Sequence, residues 1–301
     1  MRSRIWESTE QLGRMAEALR RRPADPWARP AASAQEHAAA MAPVAEAFVL
    51  GFESQLVEAS IPKEKVARYV SQQPDKFIGF AGIDPTVGHP VEELDEAFEL
   101  GLRGVTVSPV AQGFHPADTR AMELFEACEK RGVPVFVETG IALAREAPLE
   151  FGQPHLLDEV ARTFPNLRMV LSALAHPWIE QGLALVGKHP TVYGEFSDLI
   201  LRPWQLYNGL ALAHQLGVMS QLLFGSGFPF CTPEKAIVTV YSVNTLVQGT
   251  HLPSVPREQL RSVVERDALK CLGLKRSAAQ AAALEQQSNN ASQTIAEDAT
   301  R

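Results

Sequence analysis

The sequence predicts an α/β fold with a parallel sheet, either closed as a barrel or doubly wound. Short apolar runs rich in β-branched and aromatic residues recur about every 24 to 34 residues, the period of a strand-plus-helix unit. Amphipathic stretches with helical spacing lie between these runs. Alternating strands and helices of this length are typical of parallel sheets. The predicted strands are residues 47–52, 77–83, 104–108, 133–137, 167–172, 191–197 and 221–225.

The helices are predicted from apolar residues that cluster on one side of a 3.6-residue period. Residues 91–102 and 118–131 show this pattern most clearly. Pro203 and Pro233 suit the first turn of two further helices. The other predicted helices are residues 156–164, 178–188, 203–216, 232–247 and 257–272.

Three predicted strands end abruptly in small or polar residues, in the segments 136–140, 171–178 and 223–229. In a parallel barrel the carboxyl ends of the strands open together onto the active site. We therefore expect these three segments to converge on a functional site.

The strand count indicates that the first strand is missing or altered. Seven strands can be placed, whereas a (β/α)8 barrel needs eight, and residues 1–45 read as helix and loop with only Ser3–Trp6 as a possible strand remnant. Without a first strand, the edges at 47–52 and 221–225 would be unpaired, and unpaired edges promote association. The gap is expected to be filled by Ser3–Trp6, by residues 34–46, by a partner subunit, or by chain lost through truncation.

The domain organisation predicted is one large core with two flanking segments. A chain of 301 residues with 46% hydrophobic residues can bury one such core. Residues 1–45 are predicted to be a helical and irregular segment packed on the barrel, and residues 46–275 the barrel itself. Residues 276–301 are predicted to be a disordered tail, because large apolar residues become scarce there.

Composition excludes several classes of function. A formal net charge of −7 argues against nucleic acid as a partner, because phosphate binding needs clustered Lys and Arg. Three cysteines far apart indicate neither a disulfide framework nor a zinc knuckle, which favours a reducing, cytoplasmic setting. The first ten residues lack the apolar core of a signal peptide, and no apolar run is long enough to span a membrane.

Five collinear segments match the pattern of a known family. They are Pro74–Pro85, Gly101–Val105, Arg131–Phe136, Phe164–Leu167 and Phe224–Ser226. Through them the chain from about Ser3 to Leu274 resembles the amidohydrolase-related family, in the branch that includes aminocarboxymuconate-semialdehyde decarboxylase and γ-resorcylate decarboxylase. The resemblance implies a metal-dependent TIM barrel with its site at the carboxyl-terminal mouth, and commonly a dimer.

The metal-binding pattern that the resemblance implies is largely absent. In the family the first strand ends in His-x-His, and this chain has no such pair. Glu138 stands where the family has a metal-binding His, and Gly227 stands where it has a metal-binding Asp. Ala173 stands where it has a catalytic or metal-facing His, so His176 is a neighbour of that position. Metal affinity depends on most of these ligands together, so no metal ligand is predicted.

Several polar residues near the predicted strand ends could still form a site. Glu138 and His176 are the candidate catalytic residues, with Glu138 as a possible metal-free general base. A relocated metal site could use these two together with Glu195 and Asp198. The plainer interpretation is that such residues cap helices or pair with basic groups. The candidate substrate-binding residues are His115, Glu195, Asp198, Arg202, Trp204 and Tyr207.

Three functional readings follow from the sequence. The absent ligands favour a degenerate amidohydrolase-related barrel, catalytically silent, that acts as a binding or partner protein. The alternative is an active small-molecule hydrolase or carboxy-lyase with a rebuilt metal or metal-free site. A truncated product of an ordinary enzyme gene would explain the missing His-x-His but not Glu138, Ala173 and Gly227.

The cofactor and partner expectations depend on which reading holds. No cofactor is predicted, and a divalent metal, Zn or Mn, belongs only to the alternative reading. A small-molecule ligand is possible, and a homodimer or a heteromer with an intact paralogue is expected from the family.

Overall fold

An eight-stranded parallel sheet curls into a barrel in the computed structural model, which describes residues 2–6, 8–20, 32–140 and 144–276. The strands are β1 (Arg2–Ser3), β2 (Ala47–Leu50), β3 (Phe52–Ser54), β4 (Ala59–Ile61), β5 (Phe77–Gly82), β6 (Gly104–Val107), β7 (Val135–Val137), β8 (Met169–Leu171), β9 (Val192–Glu195) and β10 (Leu222–Leu223). The barrel order is β1-β2-β5-β6-β7-β8-β9-β10, and β3 and β4 form a separate antiparallel pair. The predicted TIM-type barrel is confirmed.

Helices follow most of the strands along the chain. They are α1 (Gly13–Arg20), α2 (Ala34–Ala40), α3 (Lys63–Val70), α4 (Pro90–Glu99), α5 (Pro109–Gln112), α6 (Thr119–Arg131), α7 (Asp158–Thr163), α8 (Ile179–Lys188), α9 (Pro203–Gln215), α10 (Pro233–Tyr241), α11 (Arg257–Val264) and α12 (Ala268–Cys271). Their apolar faces and the outward faces of the strands form the larger of two buried clusters. The helices predicted from apolar spacing are present, although two of them are divided: 232–247 into α10 and a 3-10 turn at Val243–Val247, and 257–272 into α11 and α12.

The smaller apolar cluster fills the inside of the barrel. Phe48, Phe80 and Phe136 pack with ring centroids 5.2 to 5.9 Å apart. Leu269 and Leu272, in and just after α12, belong to the same cluster. The barrel interior is therefore a packed core, and space for a ligand lies outside this core, at the ends of the barrel.

The first strand is present but only two residues long. Arg2 and Ser3 pair in parallel with Phe48 and Val49 of β2, and Ser3 forms a parallel bridge with Phe228 beyond β10. The backbone N–H of Arg4 donates to Phe228 O at 3.2 Å. The predicted alteration of the first strand is confirmed, and the start of the Ser3–Trp6 segment fills the expected gap.

Side-chain hydrogen bonds hold β1 in place, because so short a strand has few backbone hydrogen bonds. The Ser3 hydroxyl donates to Phe48 O at 2.7 Å, and its oxygen lies 2.7 Å from Nε2 of His37. The other ring nitrogen, Nδ1, lies 2.7 Å from the Tyr69 hydroxyl. Because the Ser3 hydrogen is already donated, Nε2 must carry a proton and Nδ1 must accept from Tyr69. A neutral His37 thus links β1 to α2 and α3.

The predicted strands are all shorter than expected, and the one at 47–52 ends in a hairpin that was not predicted. Residues 47–52 were predicted as a single strand, but β2 ends at Leu50 and the chain turns at Gly51 into the β3–β4 hairpin. A Cβ at position 51 would lie 2.7 Å from the backbone nitrogen of Gly82, so only glycine allows this approach. The hairpin brings Phe52 and Ile61 to the mouth of the barrel.

The predicted terminal segments are only partly described. Residues 21–31 of the predicted segment 1–45 lie outside the described residues. The predicted tail 276–301 also does so, apart from Arg276. Within the described residues, no helix is both long and apolar enough to cross a membrane.

The buried His37 predicts a pH-dependent stability. Burial, with a smaller contribution from the charge of Lys76, lowers the pKa of His37 from 6.5 to about 4. The unfolded chain therefore takes up a proton near pH 6.5, while the folded protein resists until near pH 4. The contribution of the neutral His37 to stability is fully present above pH 6.5. As the pH drops from 6.5 towards 4, protonation of this residue in the unfolded chain should lower the free energy of unfolding by about 1.4 kcal/mol per pH unit.

Urea unfolding at half-unit pH steps measures this slope. His37→Gln should be less stable at pH 7 and should lack the His37 contribution to the slope between pH 6.5 and 4. His251→Gln, which changes an exposed loop histidine, is the matched control and should keep the wild-type slope. A wild-type slope in His37→Gln would contradict the assignment.

Candidate functional site

A cavity of about 180 Å³ lies at the carboxyl ends of the barrel strands. Residues after β6, β7, β8, β9 and β10 line it, together with Arg4 and Trp6 after β1. The three segments predicted to converge all contribute residues: Glu138, Ser172 and Gly227 lie on its wall. Its apolar wall includes Phe52, Ile61, Val110, Phe228 and Phe230.

An ion pair between Arg4 and Glu138 lies on the wall of this cavity. The Arg4 guanidinium contacts the Glu138 carboxylate, and the two side chains are only 17% and 14% exposed. The Arg4 guanidinium carbon also lies 5.0 Å from the centre of the Phe52 ring, within the range of a cation–π contact. Arg4 follows β1 and Glu138 follows β7, on the opposite side of the barrel. The ion pair therefore spans the mouth and narrows its opening.

The donor set of the cavity does not fit a family-type metal ion. In the part of the chain that the structure describes, no three His, Cys, Asp or Glu side chains lie together so as to hold a metal. The carboxylates on the cavity wall are Glu138 and Asp198, and the first of them is paired with Arg4. A cation bound there would lack imidazole ligands and would lie beside a guanidinium charge.

Gly227 has a geometry that disfavours a side chain. Its φ is +67°, which L residues rarely adopt. A Cβ at this position would lie 3.2 Å from the Cβ of Ser197 and 3.4 Å from Oδ1 of Asp198. The Asp198 carboxylate therefore lies beside the point from which a side chain at position 227 would project.

A left-handed turn follows β8 at the cavity. Ala173, Leu174 and Ala175 have φ values of 52°, 48° and 58°, which cost L residues energy because Cβ approaches the next carbonyl oxygen. The buried Glu195 holds this turn, accepting from the backbone N–H of Ala173 at 2.9 Å. It also accepts from the backbone N–H of Ser197 at 2.8 Å and from its hydroxyl at 3.1 Å.

The candidate residues from the sequence separate into two groups. Glu138 and Asp198 line the cavity. The other predicted residues, His115, His176, Glu195, Arg202, Trp204 and Tyr207, are not among the described residues on its wall.

The predicted residues outside the cavity have other surroundings. Burial, and secondarily the charge of Arg202, lowers the pKa of His176, which favours the neutral ring. His115 packs edge-on against Phe151 with centroids 6.1 Å apart. Trp204 is 54% exposed, and the buried Tyr207 donates its hydroxyl to Pro253 O at 2.8 Å.

The cavity residues that were not singled out as site residues from the sequence include Arg4, Trp6 and Ser172, although Ser172 lies in the predicted converging segment 171–178. The Trp6 indole nitrogen Nε1 and the Ser172 hydroxyl are buried and have no hydrogen-bond partner among the described residues. The one available signal was the opposite charge of Arg4, within the possible strand remnant Ser3–Trp6, and Glu138, directly after the predicted strand 133–137. That signal becomes meaningful only once the barrel places both strand ends at one mouth.

The Arg4–Glu138 pair predicts a measurable coupling. Arg4→Met should lower the free energy of unfolding by about 2 kcal/mol, because Glu138, which is only 14% exposed, loses this partner. A double-mutant cycle with Glu138→Gln, followed by urea unfolding, should give a coupling above about 1 kcal/mol. The same cycle on the more exposed Arg131–Asp95 pair should give below about 0.5 kcal/mol. Equal couplings would contradict a special role for the Arg4 pair.

The left-handed turn predicts an unusual response to glycine. Ala173→Gly should change the free energy of unfolding by less than about 0.5 kcal/mol, because relief of the positive φ offsets the lost methyl group. Ala213→Gly, at an equally buried alanine within α9, should cost more than about 1 kcal/mol. Thermal and urea unfolding of both variants test the difference, and equal losses would show that the turn is unstrained.

Comparison with known proteins places the chain in a family. The family model described as Amidohydrolase matches residues 4–274. The 2-amino-3-carboxymuconate-6-semialdehyde decarboxylase of Dictyostelium discoideum is 28% identical over 102 residues. That match covers 33% of this chain and 28% of the length of the relative.

Solved structures share the barrel. A TIM-barrel protein of uncharacterised function from Bordetella bronchiseptica is 24% identical, with a TM-score of 0.63 over 79% of this chain and 81% of that chain. A dihydroxybenzoic acid decarboxylase from Polaromonas sp. JS666, with bound manganese and the inhibitor 2-nitroresorcinol, is 14% identical. Its TM-score is 0.60 over 92% of this chain and 96% of that chain. At these identities the structures establish the fold alone, whereas the family match spans most of the sequence. The chain belongs to the amidohydrolase family.

Proposed function

We propose that this protein binds a small organic molecule at the barrel mouth and has lost the metal-dependent chemistry of its family. It would act as a catalytically silent pseudoenzyme, as a binding protein or as a partner protein. The observation that supports this most strongly is the Arg4–Glu138 ion pair on the cavity wall. The guanidinium of Arg4 supplies a positive charge at the mouth, in place of the metal cation that the family pattern implies.

The chemistry of the wall supports the loss of the metal. A divalent ion needs several deprotonated or neutral donors that converge, and Glu138 and Asp198 do not make such a set beside Arg4. The positive φ of Gly227 also raises the cost of restoring a side chain at that position. Binding of an organic molecule at the mouth, by contrast, needs no metal ion.

The size and polarity of the cavity support a small ligand. Its volume of about 180 Å³ is slightly larger than the roughly 150 Å³ at which an engineered apolar cavity accepts benzene. The wall is mostly apolar with a few polar groups, as in typical small-molecule sites. Unpartnered buried groups such as Trp6 Nε1 cost about 1–3 kcal/mol each, which a ligand with acceptor atoms could recover.

The charge of the wall indicates what kind of ligand fits. Of the described residues that line the cavity, Arg4 contributes one positive charge, while Glu138 and Asp198 contribute two negative charges. This balance disfavours a carboxylate and favours a neutral or cationic molecule. A carboxylate substrate would instead need a wall with an excess of positive charge.

The second candidate function is an active carboxy-lyase or hydrolase with a rebuilt site. It is favoured by the similarity to the Dictyostelium decarboxylase and by two carboxylates, Glu138 and Asp198, on one cavity wall. In this reading one carboxylate would exchange a proton with the substrate. With a rebuilt metal site this reading requires metal uptake, and as a carboxy-lyase it requires the binding of a carboxylate substrate.

Metal content and ligand charge together distinguish the two functions. The protein is purified without chelator, incubated with zinc or manganese, and analysed for bound metal. Binding of benzamide, benzoate and benzylamine is then compared by calorimetry, because these three share a ring and differ in charge. We expect metal below about a tenth of an equivalent, and we expect benzoate to bind most weakly of the three.

The controls separate cavity binding from surface binding. Ser172→Val and Trp6→Phe should change the affinity for the bound ring compound, whereas Trp204→Phe, at an exposed position outside the cavity, should not. Near one equivalent of metal, or release of CO2 from 2,6-dihydroxybenzoate, the ligand named for one similar structure, would overturn the proposal.

A further inference from the structure

A second polar cleft lies at the opposite end of the barrel. We call it the basic cleft and define it by Arg168, Arg266, Lys270, Thr191 and Tyr193. Arg168 and Thr191 directly precede β8 and β9, so the cleft lies at the amino-terminal ends of these strands. Its volume is about 580 Å³. The cavity at the mouth and this cleft share no residues, so the inference does not depend on the proposed function.

The cleft has an excess of positive charge. Within the described residues, none of Arg168, Arg266 and Lys270 forms an ion pair. The one carboxylate at the cleft, on Asp267, is engaged by the guanidinium of Arg276 at 2.7 and 2.8 Å. Three converging cations repel one another, and in a protein with a formal net charge of −7 this concentration is not a general surface property.

The fold holds Arg266 in position and leaves room for Arg168. The Arg266 guanidinium donates to Leu222 O at 3.0 Å and to Met219 O at 3.2 Å, which fixes its plane. A Cβ on Gly273, whose φ is +67°, would lie 2.7 Å from the guanidinium of Arg168. A glycine at this position leaves room for the arginine. Pre-positioned guanidinium groups recognise oxyanions well, because less side-chain entropy is lost on binding.

The Tyr193 phenol adds one hydroxyl donor, whereas the Thr191 hydroxyl already donates its hydrogen elsewhere. Burial raises the pKa of Tyr193, so its phenol stays protonated and can donate a hydrogen bond. Thr191 donates to Pro165 O at 3.2 Å, which places its oxygen at the rim of the cleft. Guanidinium, ammonium and phenol donors around one space match the several acceptor oxygens of a phosphate group.

We propose that the basic cleft binds a small phosphate-bearing molecule. Two or three negative charges on one group would neutralise Arg168, Arg266 and Lys270 together, whereas a single carboxylate would leave an excess of positive charge. The volume of about 580 Å³ leaves room for a body attached to the phosphate. Because the amino-terminal face of a TIM barrel is usually the stability face, such binding would stabilise the fold rather than serve catalysis.

The test uses the full chain with inorganic phosphate and pyrophosphate as probes. Calorimetry at constant pH and ionic strength, with chloride as the reference salt, should show saturable binding of one equivalent. The double variant Arg168→Gln/Lys270→Gln should weaken the affinity at least tenfold. Lys235→Gln, which removes an exposed lysine after β10 at the mouth end, should leave the affinity unchanged.

Thermal unfolding gives a second readout that does not depend on calorimetric heat. Pyrophosphate should raise the unfolding temperature of the wild type and of Lys235→Gln more than chloride does at equal ionic strength. Lys270→Gln alone changes an exposed side chain, so it should fold normally and still show a reduced shift. No saturation up to about 10 mM, or equal affinity in the double variant and the wild type, would overturn the proposal.

Discussion

Closure of the barrel depends on the short hydrogen-bond chain from Tyr69 through His37 and Ser3 to Phe48 O. A two-residue strand has few backbone hydrogen bonds of its own, so the buried imidazole and two hydroxyls fix its register. The chain works only with a neutral imidazole, because Nδ1 must accept while Nε2 donates. Arg4 follows this strand directly, so the position of its guanidinium at the mouth depends on the same interactions.

On the proposed function, an internal ion pair takes the place of a metal site at the mouth. In a metal site of the kind that the family pattern implies, the protein supplies neutral and anionic donors, and the cation comes from solution. Here Arg4 supplies the cation and Glu138 the anion, so the charge balance is covalently part of the chain. The cavity lies above the phenylalanine core, and both polar and apolar residues line its wall.

The sequence predicted the parallel sheet and the converging strand ends, because both depend on local apolar runs and on the small residues that end them. The choice of a barrel over a doubly wound sheet came from the resemblance to the family. It did not predict the β3–β4 hairpin, since Phe52–Ser54 and Ala59–Ile61 are too short for a clear alternating pattern. The left-handed turn at Ala173 contains no glycine to signal it. Arg4 and Glu138 are 134 positions apart, so their contact follows from topology rather than from any local motif. Glu138 was identified because a carboxylate interrupts an apolar strand, and Asp198 because it lies near a predicted strand end.

The bridge from Ser3 to Phe228 also determines when the mouth can form during synthesis. The first strand leaves the ribosome long before the last one exists, and domains with such distant pairings fold slowly. Until residue 228 is available, the barrel cannot close beside Arg4. Both edges of the sheet then stay open to pairing with other chains. The mouth is therefore among the last parts of the barrel to assemble. A molecule bound there would recognise finished protein and ignore nascent chains.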